Sequence, residues 1–419
     1  MARPFFDVRM KGFRDRAEVE QVLRLLDDRV QCLAEELVPL PELAGRILAR
    51  AVVSQVNVPG FARAAMDGYA VQAENTFGAD VYNPLAVRVI GESLPAQPFP
   101  GTVQPGEAVR IMTGAPIPNG ADAVLQAEAT DEEPGTGRLL VRESVSPGRH
   151  VGRVGEDVTQ GCEVLPRHRK LRPQDVGLLA SIGVGAAHVI RRPRVAVLVT
   201  GNELLRPGAI PSGYQIVDSN SPMLMAFVMR DGAECLPVQY LEDRYETIRD
   251  ALATTDADVI LVSGGSSVGK EDHAPRAVAE LGELAIHGIA LRPASPTGVG
   301  FLPASTRLRA RTIFLLPGNP VSCLCAYDLF AGRVIRRLGG RSPAMPYRCQ
   351  SFPLAAKIVS AVGRVDYVRV KQVGECVEPI AVSGASILST TVSSVGFVLV
   401  DRDREGYAPG ERVDVWLYD

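Results

Sequence analysis

The sequence has little that would carry it onto nucleic acid, through a membrane or into an oxidising compartment. Its 45 Lys and Arg are outnumbered by 48 Asp and Glu, for a net charge of −3. No global basic field therefore draws it to a polyphosphate backbone, and an anionic small molecule has to be held by local donors. No uncharged apolar run reaches the roughly 18 residues that a membrane span needs. Residues 1–16 mix Arg3, Arg9, Lys11, Arg14 and Arg16 with acids and lack an apolar stretch, unlike a secretory signal. The seven cysteines are scattered, odd in number and without a C-x-x-C pair. That pattern favours free thiols in a reducing cytoplasm over a disulfide framework. The five histidines do not cluster, which argues against a structural zinc site. No internal repeat or low-complexity tract is present.

What is present is a chain of 419 residues, 46% hydrophobic and 22% charged. This balance belongs to a folded protein, and the length to two to four domains. Val19, Val22, Leu23, Leu26, Val30 and Leu33 recur at three- and four-residue steps and predict an amphipathic helix over 18–33. Pro39 and Pro41 end it, and Pro41 is placed to start a second helix running to Ala51. From 57 to 147 the texture is β-rich, with short strands expected at 85–90, 108–112, 123–127 and 138–141 between Gly and Pro breaks. A helix is expected over 173–181, closed by Gly183.

From 194 to 338 the rhythm changes to continuous apolar strands (195–199, 235–240, 259–263, 286–291, 312–316) alternating with helices, the pattern of a sheet covered on both faces. The fold class expected is multidomain α/β and β, in four parts. They are a mixed N-terminal domain (15–60 and 148–192, with helix 18–33 packed on the α/β domain), an inserted β-rich module (61–147), a central doubly wound parallel-sheet domain (193–338) and a small C-terminal β-domain (339–419).

Ligands of parallel α/β sheets bind where strand C-termini meet helix N-termini. Here strand 259–262 runs into Ser263-Gly264-Gly265-Ser266-Ser267-Val268-Gly269, whose amides are suited to cradling phosphate, although the spacing is not that of a Walker loop. A plain turn has the same composition. Asp272 reads as a metal ligand or as the N-cap of the next helix. Glu203 and Asp243 follow two other strands, and three carboxylates converging at one sheet edge suit Mg²⁺. Leu316-Pro317-Gly318-Asn319-Pro320-Val321-Ser322 follows a further strand. Asn319 stands as N-cap and Pro320 as the first helical residue, which makes either a second anion site or simply a good helix start. Asp67, Thr113 and Asp157 lie in turns that are unremarkable one by one.

Taken in order, Val58-Pro59-Gly60-Phe61, Ala65-Met66-Asp67-Gly68-Tyr69-Ala70, Arg110-Ile111-Met112-Thr113-Gly114-Ala115-Pro116, Gly155-Glu156-Asp157, Thr200-Gly201-Asn202-Glu203-Leu204, the glycine loop and the Pro-Gly-Asn-Pro turn resemble the MoeA/gephyrin E-domain family. The resemblance covers nearly the whole chain. It implies a homodimer whose α/β domain is similar to the Mog-type adenylylating enzyme. The implied activity is insertion of molybdate into adenylylated molybdopterin, aided by Mg²⁺ or another divalent cation, with release of AMP. It further implies contact with a Mog-type adenylyltransferase and with molybdoenzyme apoproteins or their chaperones; the charge and hydropathy above argue against nucleic acid and membrane as partners. Carried over by position, Glu203, Asp243 and Asp272 are metal-binding and catalytic acids. Asp67, Thr113 and Asp157 are catalytic residues of the β-rich part that reach the site across the dimer. Gly264, Gly265 and Ser267 match the phosphate-proximal loop of the α/β site, and Ser266, Arg292, Ser295, Asn319, Ser322 and Arg369 are the further candidates for binding substrate.

Some positions depart from the family's pattern. Arg292-Pro293-Ala294-Ser295-Pro296 stands where the family commonly shows Lys-Pro-Gly-Lys-Pro, and Arg153 alone remains of a basic run before Gly-Glu-Asp. Lys270-Glu271 precede Asp272, and Ser393-Ser394-Val395-Gly396 replaces Ser followed by Ala-Asn. Arg292 retains a charge for an oxyanion, whereas Ser295 supplies none. Arg369 is the candidate that compensates. Two further readings follow from these departures: a scaffold that has lost the activity, and an enzyme for tungstate or another adenylylated ligand. Three retained acids argue against the scaffold.

Overall fold

The computed structural model of the chain describes residues 16–264, 273–380 and 384–418. They form two compact units: residues 37–44 and 48–188 in one, and the remaining described residues in the other. Among the described residues, no helix is long and apolar enough to cross a membrane.

In the smaller unit a six-stranded sheet runs in the order Ala123–Gln126, Gly68–Val71, Glu107–Ile111, Leu85–Ser93, Arg138–Val141, Thr130–Glu133. Alternation of side chains gives it two apolar faces. Tyr69, Val71, Ala108, Leu125 and Leu139 pack on one, and Ala70, Val109, Ile111 and Val124 on the other. Helix Pro173–Ser181 begins as expected, with Pro173 at its first position. Asp175 is buried in a capping box and bonded to Arg169 and Arg172. The expected second helix over 41–51 is not formed. The chain makes one 3₁₀ turn, Leu40–Glu42, and Gly45 then takes a left-handed φ of 79° that ends any helical continuation.

In the larger unit the central sheet is ordered Glu234–Cys235, Arg194–Thr200, Val259–Ser263, Arg311–Leu316, Gly298–Leu302, Glu283–His287, and Gln239–Leu241 also pairs with Arg194–Thr200. The strands around its centre are parallel and buried on both faces, as their unbroken apolar runs require. At one edge, Gly298–Leu302 and Glu283–His287 run antiparallel, so the sheet is mixed rather than wholly parallel. Glycine is required in Gly298–Leu302 because a side chain at Gly300 would begin 2.3 Å from Val278 Cγ1. The strand expected over 286–291 divides at Gly288, where φ is 95°. Its first part stays in this sheet, while Leu291–Arg292 pairs with Val365–Asp366 of the C-terminal sheet.

Helix Val19–Arg29 ends at Val30, which is extended, four residues sooner than its apolar spacing suggests. It buries Val19, Val22 and Leu26 in the same core as the central sheet. Arg333 clamps Asp27 with bonds of 2.9 and 2.6 Å. After Gly340 the chain builds the C-terminal sheet from Arg348–Pro353, Val365–Val373, Cys376–Pro379, Gly396–Val400 and Arg412–Leu417.

Candidate active site

Strand register decides which loops meet. Thr200 pairs with Leu241, Val199 with Ser263 and Ser263 with Leu316, all in parallel ladders. Residues 201–203, 242–243, Gly264 and 317–319 therefore leave the sheet at the same C-terminal edge. Glu203 is exposed and Asp243 half-buried. The backbone N–H of Asp243 donates to Asn202 Oδ1 at 3.3 Å, which joins the two acidic loops.

Gly264 sits where no other residue fits. Its φ is 93°, and a side chain there would begin 2.4 Å from the Thr200 carbonyl oxygen. Its N–H donates to Leu316 O at 3.2 Å. Gly265, Ser266, Ser267 and Asp272 lie outside the described residues. Among the described residues, no three His, Cys, Asp or Glu are grouped to hold a metal ion. Glu203 and Asp243, on joined loops, are two hard oxygen donors of the kind Mg²⁺ takes.

Two structural details reduce the anion-binding capacity expected elsewhere. Arg292 is committed to the buried carboxylate of Asp366, which also accepts from Arg364 Nε at 3.1 Å and Ser360 Oγ at 2.8 Å. Asn319 stands at the N-cap position but makes no capping bond with its side chain, and the Val321 N–H donates to Ala385 O at 3.0 Å. Ser322 is buried in that short helix.

Ser295 Oγ is buried with no partner among the described residues. Beside it, Ala294 is held at φ 94°, where an L side chain crowds its own backbone. Ala294→Gly is expected to stabilise the protein by about 1 kcal/mol, the relief of left-handed strain less the added freedom of the unfolded chain. A urea midpoint that falls instead would show that the loop is not strained there.

Arg369 stands apart. It is 3% exposed, and its only side-chain bond among the described residues is to Thr390 Oγ1 at 2.5 Å. Among the described residues its Nε has no acceptor and Thr391 Oγ1 no partner, and no described carboxylate forms an ion pair with it. A buried guanidinium without a counter-charge is costly, and an anion would relieve it.

In the smaller unit, Asp67 and Thr113 are brought together. Both the N–H and the hydroxyl of Thr113 donate to Asp67 Oδ1, at 2.7 and 2.8 Å. These two bonds, the backbone one first, hold the Asp67 carboxyl below its ordinary range and so keep it ionised. Gly68 continues the turn in a position that only glycine fits, since a side chain would begin 1.9 Å from Leu125 O. Asp157 is exposed on another loop, its N–H bonded to Val58 O at 2.9 Å.

Sequence reading missed a buried polar cluster under the sheet edge. The Asp218 carboxylate accepts the N–H groups of Asn220 and Ser221 at 2.9 and 3.1 Å, the Ser221 hydroxyl, and the Tyr240 hydroxyl at 2.9 Å. Asn220 Nδ2 donates to Ser263 Oγ at 2.9 Å and to Gly318 O at 2.8 Å. The available signal was Asp218-Ser219-Asn220-Ser221 ahead of an apolar helix, a helix-start composition.

Comparison with known proteins bears on the whole chain. Residues 17–183 match the family described as MoeA N-terminal region (domain I and II), 196–337 the "Probable molybdopterin binding domain", and 351–418 the MoeA C-terminal region (domain IV). Molybdopterin molybdenumtransferase 2 of Mycobacterium tuberculosis is 34% identical over 95% of this chain and 98% of its own. Molybdopterin molybdenumtransferase of Haemophilus influenzae is 32% identical over 91% and 93%. Two crystal structures of a molybdopterin biosynthesis MoeA protein from Pyrococcus horikoshii superimpose with TM-scores of 0.82 and 0.75 at 31% identity. They cover 96% of this chain and 99% and 100% of theirs.

Proposed function

The chain belongs to the MoeA family, and we propose that it is a molybdopterin molybdenumtransferase that takes adenylylated molybdopterin and molybdate and releases AMP. The observation that carries this reading is the joined pair of loops bearing Glu203 and Asp243 beside the Gly264 turn, at one strand edge. Amides after Gly264 hold phosphate oxygens. Glu203, Asp243 and Asp272 would hold a divalent cation, which when bound offsets charge on the phosphoanhydride. The same acids orient a water or oxyanion for attack at phosphorus. Attack by water at the pterin-side phosphorus forms the new P–O bond as the anhydride P–O bond breaks, AMP leaves with the broken bond's electrons, and the water's proton passes through one of these carboxylates to solvent. Asp67, kept ionised by Thr113, and Asp157 contribute from the partner subunit of a homodimer.

The oxyanion is held by Arg369 rather than Arg292, since Arg292 is paired with Asp366 while Arg369 is buried with no carboxylate partner among the described residues. Release of AMP from adenylylated molybdopterin by the purified protein with Mg²⁺, with and without molybdate, tests the reading. Stimulation by molybdate is the expected result, and no release with a folded dimer overturns it. The commitment of Arg292 to Asp366, with serine at 295, favours one second reading, an altered oxyanion. Stronger stimulation by tungstate than by molybdate at equal concentration would establish it.

A further inference from the structure

We propose that Asn220 is a positioning residue for this group transfer, holding the Gly264 turn and the Gly318 turn at a fixed separation. The proposal rests on the functional reading above. Both turns leave the sheet at the same edge, and their backbones are close enough that a side chain at Gly318 would begin 3.8 Å from Gly264 Cα. Among the described residues, one side chain bonds to both: Asn220 Nδ2 reaches Ser263 Oγ at 2.9 Å and Gly318 O at 2.8 Å. The orientation of the amide is fixed by chemistry, because a carbonyl oxygen only accepts and so the NH₂ group must face Gly318.

The amide is itself held. Asn220 is 6% exposed, and Asp218 takes its backbone N–H while Ser221 and Tyr240 occupy the other acceptor sites of that carboxylate. Two polar atoms here have no partner among the described residues, Asn220 Oδ1 and Thr200 Oγ1. Thr200 Oγ1 lies 3.0 Å from where a Gly264 side chain would begin. A buried polar network left partly unsatisfied at the root of two loops suits a site completed by a bound group. A misplacement of about 1 Å between phosphate-holding loops is worth roughly 10²-fold in rate.

The test compares Asn220→Ala, Asn220→Asp and Ser263→Ala in the full-length protein. Measured for each are melting temperature, kcat and KM for AMP release, AMP affinity by calorimetry, and amide hydrogen exchange in peptides spanning 263–270 and 316–322. Positioning predicts faster exchange in both peptides, kcat lowered 10- to 100-fold in Asn220→Ala, weaker AMP binding, and a smaller loss in Ser263→Ala. Asn220→Asp keeps the volume but turns an acceptor toward Gly318 O, so it is expected not to rescue. A packing role predicts rescue by Asp, and activity that follows the folded fraction; either result overturns the proposal, as does wild-type kcat in Asn220→Ala. Should Asn220→Ala fail to fold, Ser263→Ala decides by the same exchange and AMP measurements. If the wild-type protein releases no AMP, the functional reading fails, while exchange and AMP affinity still decide the role of Asn220.

Discussion

Asp231→Ala is expected to cost the larger unit about 3–5 kcal/mol. Asp231 is 1% exposed at the C-terminal end of helix Asn220–Arg230, where an acid gains nothing from the helix dipole. It is there for its partners. Arg336 Nη1 reaches it at 2.9 Å, Arg230 at 3.1 and 3.2 Å, and the Tyr327 hydroxyl at 3.1 Å. Arg336 is also buried, and beyond Asp231 its side chain bonds, among the described residues, only to Pro343 O, at 3.2 Å. Removing the acid leaves that guanidinium in a dry interior without a counter-charge, which is dearer than never having built the pair. A folded unit retains about 5–15 kcal/mol in all, so the loss is legible as a large fall in urea midpoint at unchanged slope. A loss below about 1 kcal/mol would mean that water reaches Arg336.

The neighbouring Asp328 adds a pH dependence of opposite sense to that of an ordinary salt-bridged acid. Burial pushes its carboxyl up to about 6, in spite of Arg230 and the Tyr347 hydroxyl. The folded state therefore binds this proton more tightly than the unfolded chain. Its contribution is fully present below the unfolded value near 4 and is lost as pH rises through about 6.

Much of this arrangement was legible in the sequence, and the illegible part has a physical pattern. Strands that are apolar without interruption, such as Val259–Ser263, announce a sheet buried on both faces. Proline and glycine punctuation announced the helix at Pro173. The order of short motifs announced the family. Failures came where one residue outweighed a local pattern: Gly45 ended an expected helix and Gly288 split an expected strand. Partner choice was also hidden. Nothing near Arg292 in sequence indicates Asp366, 74 residues away, and nothing near Asn220 indicates Ser263 and Gly318. Arg369 was picked out in the sequence as a charge, but its lack of a described carboxylate is a property of the fold alone.

Glu203→Gln and Asp243→Asn are each expected to lower kcat for AMP release by about 10²–10³-fold, the usual result of removing one charged group aimed at a developing charge. Both substitutions keep shape. Glu203 is exposed on a loop, so its stability effect should stay within about 0.5 kcal/mol. This separates the pair from Asp231, whose loss acts on folding. The two acids sit on loops joined through Asn202 and Asp243 N–H. If they act as one unit toward a shared cation, the double variant is scarcely worse than either single one, and all three need more Mg²⁺ for half-maximal rate. If they act separately, the losses multiply, to about 10⁴–10⁶-fold, and the Mg²⁺ requirement stays put. Wild-type turnover in both single variants would remove the acids from the mechanism. The Gly264 turn would then remain as a phosphate-holding loop without chemistry of its own, which is the condition a scaffold requires.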